Sequence, residues 1–170
     1  MSELEQNKTT NDAGTTPGIF CSLLIDKGYK ASPLKNSKDG TEIIQVQPEN
    51  LVDVATLLKM HKEAQFILLY SITGVDYPDK FELIYHLQSV KLNKKLILKS
   101  HIDKNNPEID SLAQVFATAN WHERETYDLL GIKFNNHPDL SRILLPNDWK
   151  GHPLRKDYVM DDERLVWNER

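Results

Sequence analysis

Two stretches of the chain repeat apolar residues at the spacing of an α-helix. The first predicts a short helix that follows Pro17 and ends at Gly28, because glycine favours the left-handed stop after a helix. The second predicts a helix that Pro48 opens and that ends at about Lys62. The repeating apolar positions are Phe20, Leu23, Leu24, Leu51, Val54, Ala55 and Leu58.

Three later stretches have the pattern of β-strands. Residues 66–70 are continuously apolar, which predicts a strand buried on both faces. Residues 81–88 alternate apolar and polar positions, the period of a half-buried strand, and residues 96–102 continue that alternation. Residues 91–94 lie between them and include Asn93, which predicts a hairpin. The alternating apolar positions are Phe81, Leu83, Tyr85, Leu87, Leu96, Leu98 and Ile102.

Shorter elements complete the first part of the chain. Residues 32–40 are rich in turn-forming residues, and residues 42–46 predict a strand. Pro107 ends the sheet region, and residues 111–118 predict a short helix. The order is helix, strands, helix, three strands and helix. It predicts an α+β two-layer sandwich, with helices covering one face of a mixed β-sheet.

The chain changes character at about residue 119. Asn120 can cap a helix, Glu123 can reach back towards the backbone of that cap, and Gly131 fits the end of the helix. This helix is short and highly charged. We therefore predict three parts: a disordered N-terminal tail at 1–16, an α+β domain at 17–118, and a charged helix with an extended, proline-containing segment at 119–170.

The proline-containing part still carries many large apolar residues. Pro138, Pro146 and Pro153 exclude a long helix or a central strand there. An extended chain with many apolar side chains needs a surface to lie on, either its own domain or another protein. The apolar residues are Phe134, Leu140, Ile143, Leu144, Leu145, Trp149, Leu154 and Tyr158.

Composition narrows the class of protein. Hydrophobic residues make up 39% and charged residues 27%, which is typical of a globular protein, and the net charge of −4 disfavours nucleic acid as a partner. No apolar run approaches the roughly 20 residues that span a bilayer, and the N-terminus shows no secretory signal. The single cysteine, Cys21, excludes an intrachain disulfide and a cluster held by several cysteines of this chain.

Catalytic motifs are incomplete. His122 and Glu123 begin a zinc-protease motif, but Thr126 stands where the second histidine is required. A stand-alone metal-dependent hydrolase using His122, Glu123 and His137 is the weaker of two hypotheses for the function. Glu123, Glu125 and Asp128 lie along one short helix, which favours charge pairing over acid–base catalysis. Arg124 is spaced to pair with Asp128.

Cys21 and the glycines give no sign of catalysis or nucleotide binding. Cys21 is interpreted as a half-buried, inert thiol on the first helix. The glycines form neither a dinucleotide-binding fingerprint nor a phosphate-binding loop.

Three consecutive runs carry a family resemblance. They are E-R-E-T-Y-D-L-L-G-I-K-F from Glu123 to Phe134, N-H-P-D-L-S-R-I-L-L-P from Asn136 to Pro146, and D-W-K-G-H-P-L-R-K-D-Y from Asp148 to Tyr158. Together they resemble the signature of the thirty-kilodalton subunit family of respiratory complex I, the NADH–quinone oxidoreductase (NDH-1) subunit designated C. The α+β interpretation agrees with that family's fold.

The resemblance implies a cofactor-free subunit in the peripheral arm of a proton-translocating complex. FMN and iron–sulfur clusters are then held by other subunits. The chief implied partner is the subunit designated D, which helps form the quinone site and is called the quinone-site subunit from here on. The subunits designated B and I are further implied partners.

The resemblance also bears on location and electron donor. The implied location is the cytoplasmic side of the bacterial inner membrane, with membrane contact only through the complex. Leu130 stands where many members of the family carry an aromatic residue, and the same leucine occurs in the related subunit, designated J, of photosynthetic, ferredoxin-dependent NDH-1 complexes. That subunit is the alternative assignment, so the electron donor stays open. The residues after Tyr158 do not look like that branch.

The same resemblance implies which residues face partner subunits. We also expect Arg155 to form a two-pronged bond with an acidic group, either on the quinone-site subunit or on Glu123 or Glu125 of this chain. The expected interface residues are Glu123, Arg124, Glu125, Tyr127, Asp128, Gly131, His137, Pro138, Leu140, Arg142, Trp149, Gly151, Pro153, Arg155, Lys156, Asp157 and Tyr158.

Overall fold

A computed structural model describes residues 15–159 of the chain. The strands and helices follow the predicted order as far as β5, whereas the elements after it differ from the prediction. The helices are α1 (Ile19–Asp26), a 3-10 turn (Pro48–Asn50) that leads into α2 (Leu51–Met60), and α3 (Ala119–Leu130). The strands are β1 (Ala31–Leu34), β2 (Glu42–Val46), β3 (Leu68–Asp76), β4 (Lys80–Ser89), β5 (Lys94–Asp103), β6 (Glu108–Asp110) and β7 (Lys133–Asn135).

The main sheet is mixed, as predicted. Its five strands lie in the order β1-β2-β5-β4-β3. Strand β2 runs parallel to β5, and the other neighbouring pairs are antiparallel. Helices α1 and α2 share a hydrophobic core with one face of this sheet, which confirms the α+β class. Strands β6 and β7 form a separate, parallel pair.

The alternation predicted for β4 and β5 is confirmed. Their predicted inward-facing residues are buried in the core, whereas Lys99 and His101 lie on the opposite face and both contact the carboxylate of Glu82. Asn93 adopts a positive φ of 50° in the connecting hairpin. Cys21 is fully buried in α1, deeper than the half-buried position predicted, and burial raises the pKa of its thiol to about 11.

Two strand predictions are corrected. The stretch interpreted as turn-rich, 32–40, begins inside β1. Pro33 is tolerated there because β1 is an edge strand, where a missing N–H group costs no bond within the sheet. The strand predicted at 66–70 starts later and runs to Asp76. It is an edge strand rather than one buried on both faces, and Tyr70 is 41% exposed.

The helix predicted at 111–118 is absent, and successive turns occupy that stretch. The hydroxyl of Ser111 and the N–H of Leu112 both donate to the carboxylate of Glu123 on α3. The sequence pattern does not reveal these bonds, because they join residues of separate elements. The backbone forms a single turn that does not continue as a helix, closed by bonds from the N–H groups of Val115 and Phe116 to the carbonyl of Leu112.

Helix α3 differs from its prediction at its start but not at its end. The N-cap is Thr118 rather than Asn120, and no side chain caps it. Gly131 ends the helix in the left-handed conformation at φ 73°, as predicted. The helix packs against β3, where a Cβ on Gly74 would lie 2.4 Å from Leu130.

The hydrophobic core continues past the predicted boundary at residue 118. Ala119, Leu130, Ile132 and Phe134 all belong to the same core as the sheet. The three-part division of the chain stays a prediction, and residues 1–14 and 160–170 lie outside the described residues. Within 15–159, no helix is long and apolar enough to cross a membrane.

Candidate partner-binding segment

Residues 136–159, called the C-terminal segment from here on, fold back over α3 without regular secondary structure. No residue of this segment is buried over its whole surface, although many are half-buried. Its position depends on hydrogen bonds to a few buried carboxylates, which α3 and β3 supply.

Asp128 is the main anchor of the C-terminal segment. Its Oδ2 accepts hydrogen bonds from the backbone N–H groups of Ile143, Leu144 and Leu145 at 2.8–3.0 Å. Its Oδ1 accepts one from Arg142 at 2.7 Å. Burial alone would raise the pKa of Asp128, but these donors together lower it below its ordinary value. The carboxylate is therefore held as an anion inside a cradle of donors.

Arg142 joins this anchor to the next turn of the segment. Besides Asp128, its guanidinium donates to the carbonyl oxygens of Trp149 and Gly151, at 3.2 and 3.0 Å. His152 adds a bond from Nδ1 to the carbonyl of Asp128 at 3.0 Å, and burial lowers the pKa of its imidazole. The planar guanidinium of Arg142 thus fixes the distance between α3 and residues 149–151.

Asp76, at the end of β3, is a second anchor, and no sequence pattern marks it. Its Oδ2 accepts the backbone N–H of Lys156 at 2.8 Å, and its Oδ1 accepts Lys104 Nζ at 2.6 Å. Burial opposes its ionisation, but the two lysine contacts lower its pKa overall. Between the two anchors, the N–H of Leu154 bonds the carbonyl of Leu129 at 3.0 Å.

Gly131 and Gly151 allow close approach within this region. A Cβ on Gly131 would lie 2.5 Å from the ring of His152, and one on Gly151 would lie 2.9 Å from the ring of Tyr158. Both glycines also have positive φ, at 73° and 79°. The C-terminal segment could not pack this closely on α3 with side chains at these positions.

The expected pairing of Arg155 within the chain is wrong. Its guanidinium lies over the ring of Phe81, 5.2 Å from the centroid, and not against Glu123 or Glu125. Glu123 faces away from it and is occupied by Ser111 and Leu112. Within residues 15–159, Arg155 Nε has no hydrogen-bond partner although it is buried.

The expected pairing of Arg124 with Asp128 is also wrong. Arg124 donates instead to the carbonyl and the hydroxyl of Ser141, at 3.1 and 2.9 Å, so it also fastens the C-terminal segment. Asp128 faces Arg142, whose approach from a distant part of the chain no helical spacing could indicate.

Glu123 is buried on the other side of α3, away from the anchor at Asp128. Its two oxygens accept bonds from Ser111 at 2.5 Å and Leu112 at 2.7 Å. Burial raises its pKa to about 7, and those two bonds only partly oppose the shift. His137 Nε2 lies 3.8 Å from Glu123 and 3.2 Å from the carbonyl of Asn120, while its Nδ1 accepts the N–H of Asp139. His137 is thus a hydrogen-bonded histidine.

The remaining expected interface residues surround these anchors. Tyr127 and Leu140 pack against the core, and Tyr127 lies edge-on to His152. Glu125, Pro138, Lys156 and Asp157 are exposed. Residues that sequence reasoning missed are Asp76, Phe81, Lys104, Ser111, Ser141 and His152.

Within residues 15–159, no group of three or more histidine, cysteine, aspartate or glutamate side chains could hold a metal ion. His122 lies along a groove beside β3, whereas Glu123 and His137 face the turns at 111–112. The arrangement that a hydrolase at His122, Glu123 and His137 would need is therefore not formed.

Solved structures define the class of this fold, an α+β domain of the kind found in a respiratory membrane complex. The trypsin-resistant fragment of Nqo5 matches with a TM-score of 0.58 at 24% identity, over 70% of this chain and 95% of that one. A chain of the archaeal membrane-bound sulfane sulfur reductase, a respiratory membrane complex, matches with a TM-score of 0.68 at 25% identity. That match covers 82% of this chain and 83% of the other.

Sequence comparisons identify the family. Residues 44–164 match the model of the respiratory-chain NADH dehydrogenase 30 Kd subunit. The NADH-quinone oxidoreductase subunit designated C in Roseiflexus sp. (strain RS-1) is 44% identical over 127 residues, 73% of each chain. NADH-ubiquinone oxidoreductase subunit 9 of Reclinomonas americana is 36% identical over 163 residues, 94% of this chain and 76% of that one. The chain belongs to this family of complex I subunits, which confirms the resemblance.

Proposed function

We propose that this chain is a cofactor-free, non-catalytic peripheral-arm subunit of a proton-translocating NADH–quinone oxidoreductase. It scaffolds the quinone-reducing module by presenting the C-terminal segment to the quinone-site subunit, with the subunits designated B and I as further neighbours. FMN and iron–sulfur clusters belong to other subunits, and the complex places this one on the cytoplasmic side of the membrane. Family membership supports the complex, and the build of the C-terminal segment supports the role.

The observation that carries the proposal is the cradle around Asp128. Four donors from Arg142–Leu145 converge on one buried carboxylate and hold an irregular chain in one shape. The cradle leaves Leu144, Leu154 and Val159 at least 59% exposed. A preorganised backbone with outward apolar side chains suits binding to a neighbouring protein, because less conformational entropy is lost on association.

Asp128→Asn tests this role. The substitution keeps the shape of the side chain but removes the charge that Arg142 requires, so the segment should lose its shape. We expect a lower yield of assembled complex and a matching loss of quinone-reductase activity in membranes. Asp53→Asn, at an exposed position on α2, is the matched control and should assemble normally. Normal assembly of Asp128→Asn would contradict the role of the C-terminal segment.

Arg155 supplies a second test at the same surface. Arg155 is half-buried, and its guanidinium has no ion-pair partner within residues 15–159, so a carboxylate on the quinone-site subunit would bind its terminal nitrogens. Arg155→Ala should visibly reduce assembly, because losing one member of a buried charge pair costs about 2–5 kcal/mol. The yield of assembled complex with Arg155→Lys should lie between the yields with Arg155→Ala and with wild type, since lysine cannot form a two-pronged bond. Lys62→Ala, at an exposed site, is the control. Normal assembly and activity in Arg155→Ala would remove this residue from the interface.

A further inference from the structure

The outer edge of β3 is a row of backbone groups with a groove beside it. Strand β3 is the last strand of the main sheet, so one of its sides pairs with β4 and the other has no neighbouring strand. The N–H of Tyr77 bonds the carbonyl of Lys80 across the turn that joins β3 to β4. Because hydrogen-bonded and non-hydrogen-bonded pairs alternate in an antiparallel ladder, Val75 and Thr73 bond to β4, whereas Gly74 and Ile72 point their backbone groups outwards.

The outward groups of Ile72 and Gly74 have no partner within residues 15–159. Among the outward backbone groups of β3, the carbonyl of Leu69 is satisfied by the hydroxyl of Thr118 at 2.7 Å. No hydrogen bond from another described element reaches the N–H or C=O of Ile72 or Gly74. Exposed strand edges of this kind are normally covered or blunted in native proteins.

A groove of about 280 Å³ runs along this edge. Its floor is Ser71–Gly74, and its opposite wall is formed by α3. Leu154 of the C-terminal segment also lines it and is 60% exposed. Glu125 on the α3 wall is exposed, and its carboxylate has no ion-pair partner in the described part of the chain.

We propose that the β3 edge accepts an extended segment of a partner subunit as a sixth strand. The backbone of that segment would bond Ile72 and Gly74, an apolar side chain would contact Leu129 and Leu154, and a lysine or arginine would face Glu125. The outward backbone groups of Ile72 and Gly74 are spaced to bind an extended polypeptide, and the carboxylate of Glu125 favours a cationic side chain beside it. The inference rests on the proposed function only in requiring a partner subunit. Its backbone contacts lie on β3, and Leu154 is the one residue of the C-terminal segment that it uses.

Residue-resolved amide hydrogen exchange of the full-length chain, free and in the purified complex, tests the proposal. In the free chain, the amides of Ile72 and Gly74 should exchange faster than those of Thr73 and Val75, which β4 already protects. In the complex, Ile72 and Gly74 should slow by about tenfold or more, while Thr73 and Val75 change little. This alternating gain distinguishes an added strand from a surface that is merely covered, which would slow all four amides.

Glu125→Lys sharpens the test, because it should abolish the gained protection at Ile72 and Gly74. Glu49→Lys, an equal charge change at an exposed position on the 3-10 turn, should leave that protection intact. A complex that assembles while Ile72 and Gly74 exchange as in the free chain would overturn the added strand and leave the proposed function standing. Uniform slowing across 72–75 would also overturn it. Failure of the full-length chain to join any complex would overturn both.

Discussion

The main sheet and the C-terminal segment hold their shapes by different interactions. In the sheet, fully buried apolar side chains such as Phe81, Leu83 and Leu98 are packed together. In the C-terminal segment no residue is buried over its whole surface, and backbone groups instead bond to Asp128 and Asp76. The first region draws stability from many small packing contacts, and the second from a few charge-assisted hydrogen bonds.

This difference predicts how each region fails. Loss of one apolar contact should lower the stability of the whole domain, because the core unfolds cooperatively. Loss of one anchor should release the C-terminal segment locally and leave the sheet folded, because few buried contacts tie the segment down. Under the proposed function, the C-terminal segment would adjust to a partner subunit while the core stays intact.

Phe81→Ala should have the largest effect on global stability. Phe81 is fully buried on β4, and both Arg155 and Lys104 lie over its ring. We expect the free energy of unfolding to fall by about 3–5 kcal/mol, the usual cost of Phe→Ala in a core. Denaturant unfolding of the full-length chain measures this. Ile84→Ala, a half-buried neighbour on the open face, should cost clearly less. Equal losses in the two variants would contradict the distinction between the faces.

Glu123 should give the domain an unusual pH dependence. Its pKa rises from 4.5 to about 7 on folding, so its stabilisation is fully present below pH 4.5 and is lost as pH rises through about 7. The loss amounts to about 3 kcal/mol, since each pKa unit is worth about 1.36 kcal/mol. Asp128 acts in the opposite sense: its stabilisation is present above pH 3.8 and is lost as the pH falls through its lowered pKa.

The difference between wild type and Glu123→Gln isolates this effect. Glutamine does not ionise, so the free energy of unfolding of the variant should lack the decline between pH 4.5 and about 7. Measuring the unfolding of both proteins at several pH values removes the contribution of the histidines, which the two proteins share. Parallel profiles across that range would mean that Glu123 titrates at its ordinary pKa when folded.

The same two regions differ in how well the sequence predicts them. The alternation of β4 and β5 follows from the local order of side chains, and its prediction is correct. The prediction of a helix at 111–118 is wrong: Ser111 and Leu112 bond to Glu123 on α3, and the residues after them form single turns that do not continue as a helix. Contacts between separate elements leave no trace in the spacing of residues along the chain.

The sequence indicates some residues of the candidate site but not how they pair. The sequence indicates that Asp128, Arg142 and Arg155 belong to one region. It cannot indicate that Asp128 binds Arg142 rather than Arg124, because irregular backbone has no period from which contacts can be inferred. Asp76 carries no signal, since its partners, the side chain of Lys104 and the backbone N–H group of Lys156, are distant from it in sequence.

Gly131→Ala should loosen the C-terminal segment without unfolding the sheet. The left-handed backbone alone disfavours alanine by about 1–2 kcal/mol, and the new Cβ would also lie 2.5 Å from His152. Gly40→Ala is the matched control, because Gly40 has a similar φ of 81° and no atom within 4 Å of the added Cβ. We expect tryptic cleavage after Lys150 and Arg155 to accelerate in Gly131→Ala only. Equal acceleration in both variants would mean that cleavage reports a general loss of stability and not a local release of the C-terminal segment.

Lys133→Ala should have the smallest effect on the free energy of unfolding. It tests whether burial determines how much an ion pair contributes to the stability of this protein. Lys133 lies 3.1 Å from Glu108 across β7 and β6, but their side chains are 58% and 36% exposed, so water already solvates both charges. Exposed pairs contribute about 0–1 kcal/mol, and we expect a change in the free energy of unfolding below about 0.5 kcal/mol.

Lys104→Ala is the contrasting variant, because Lys104 and Asp76 are only 16% and 3% exposed and the same carboxylate holds Lys156. Its removal would leave Asp76 buried with a single donor, so tryptic cleavage after Arg155 and Lys156 should accelerate in Lys104→Ala and stay unchanged in Lys133→Ala. A larger effect from Lys133→Ala would mean that the small β6–β7 pair, and not the Asp76 anchor, limits the hold on the C-terminal segment.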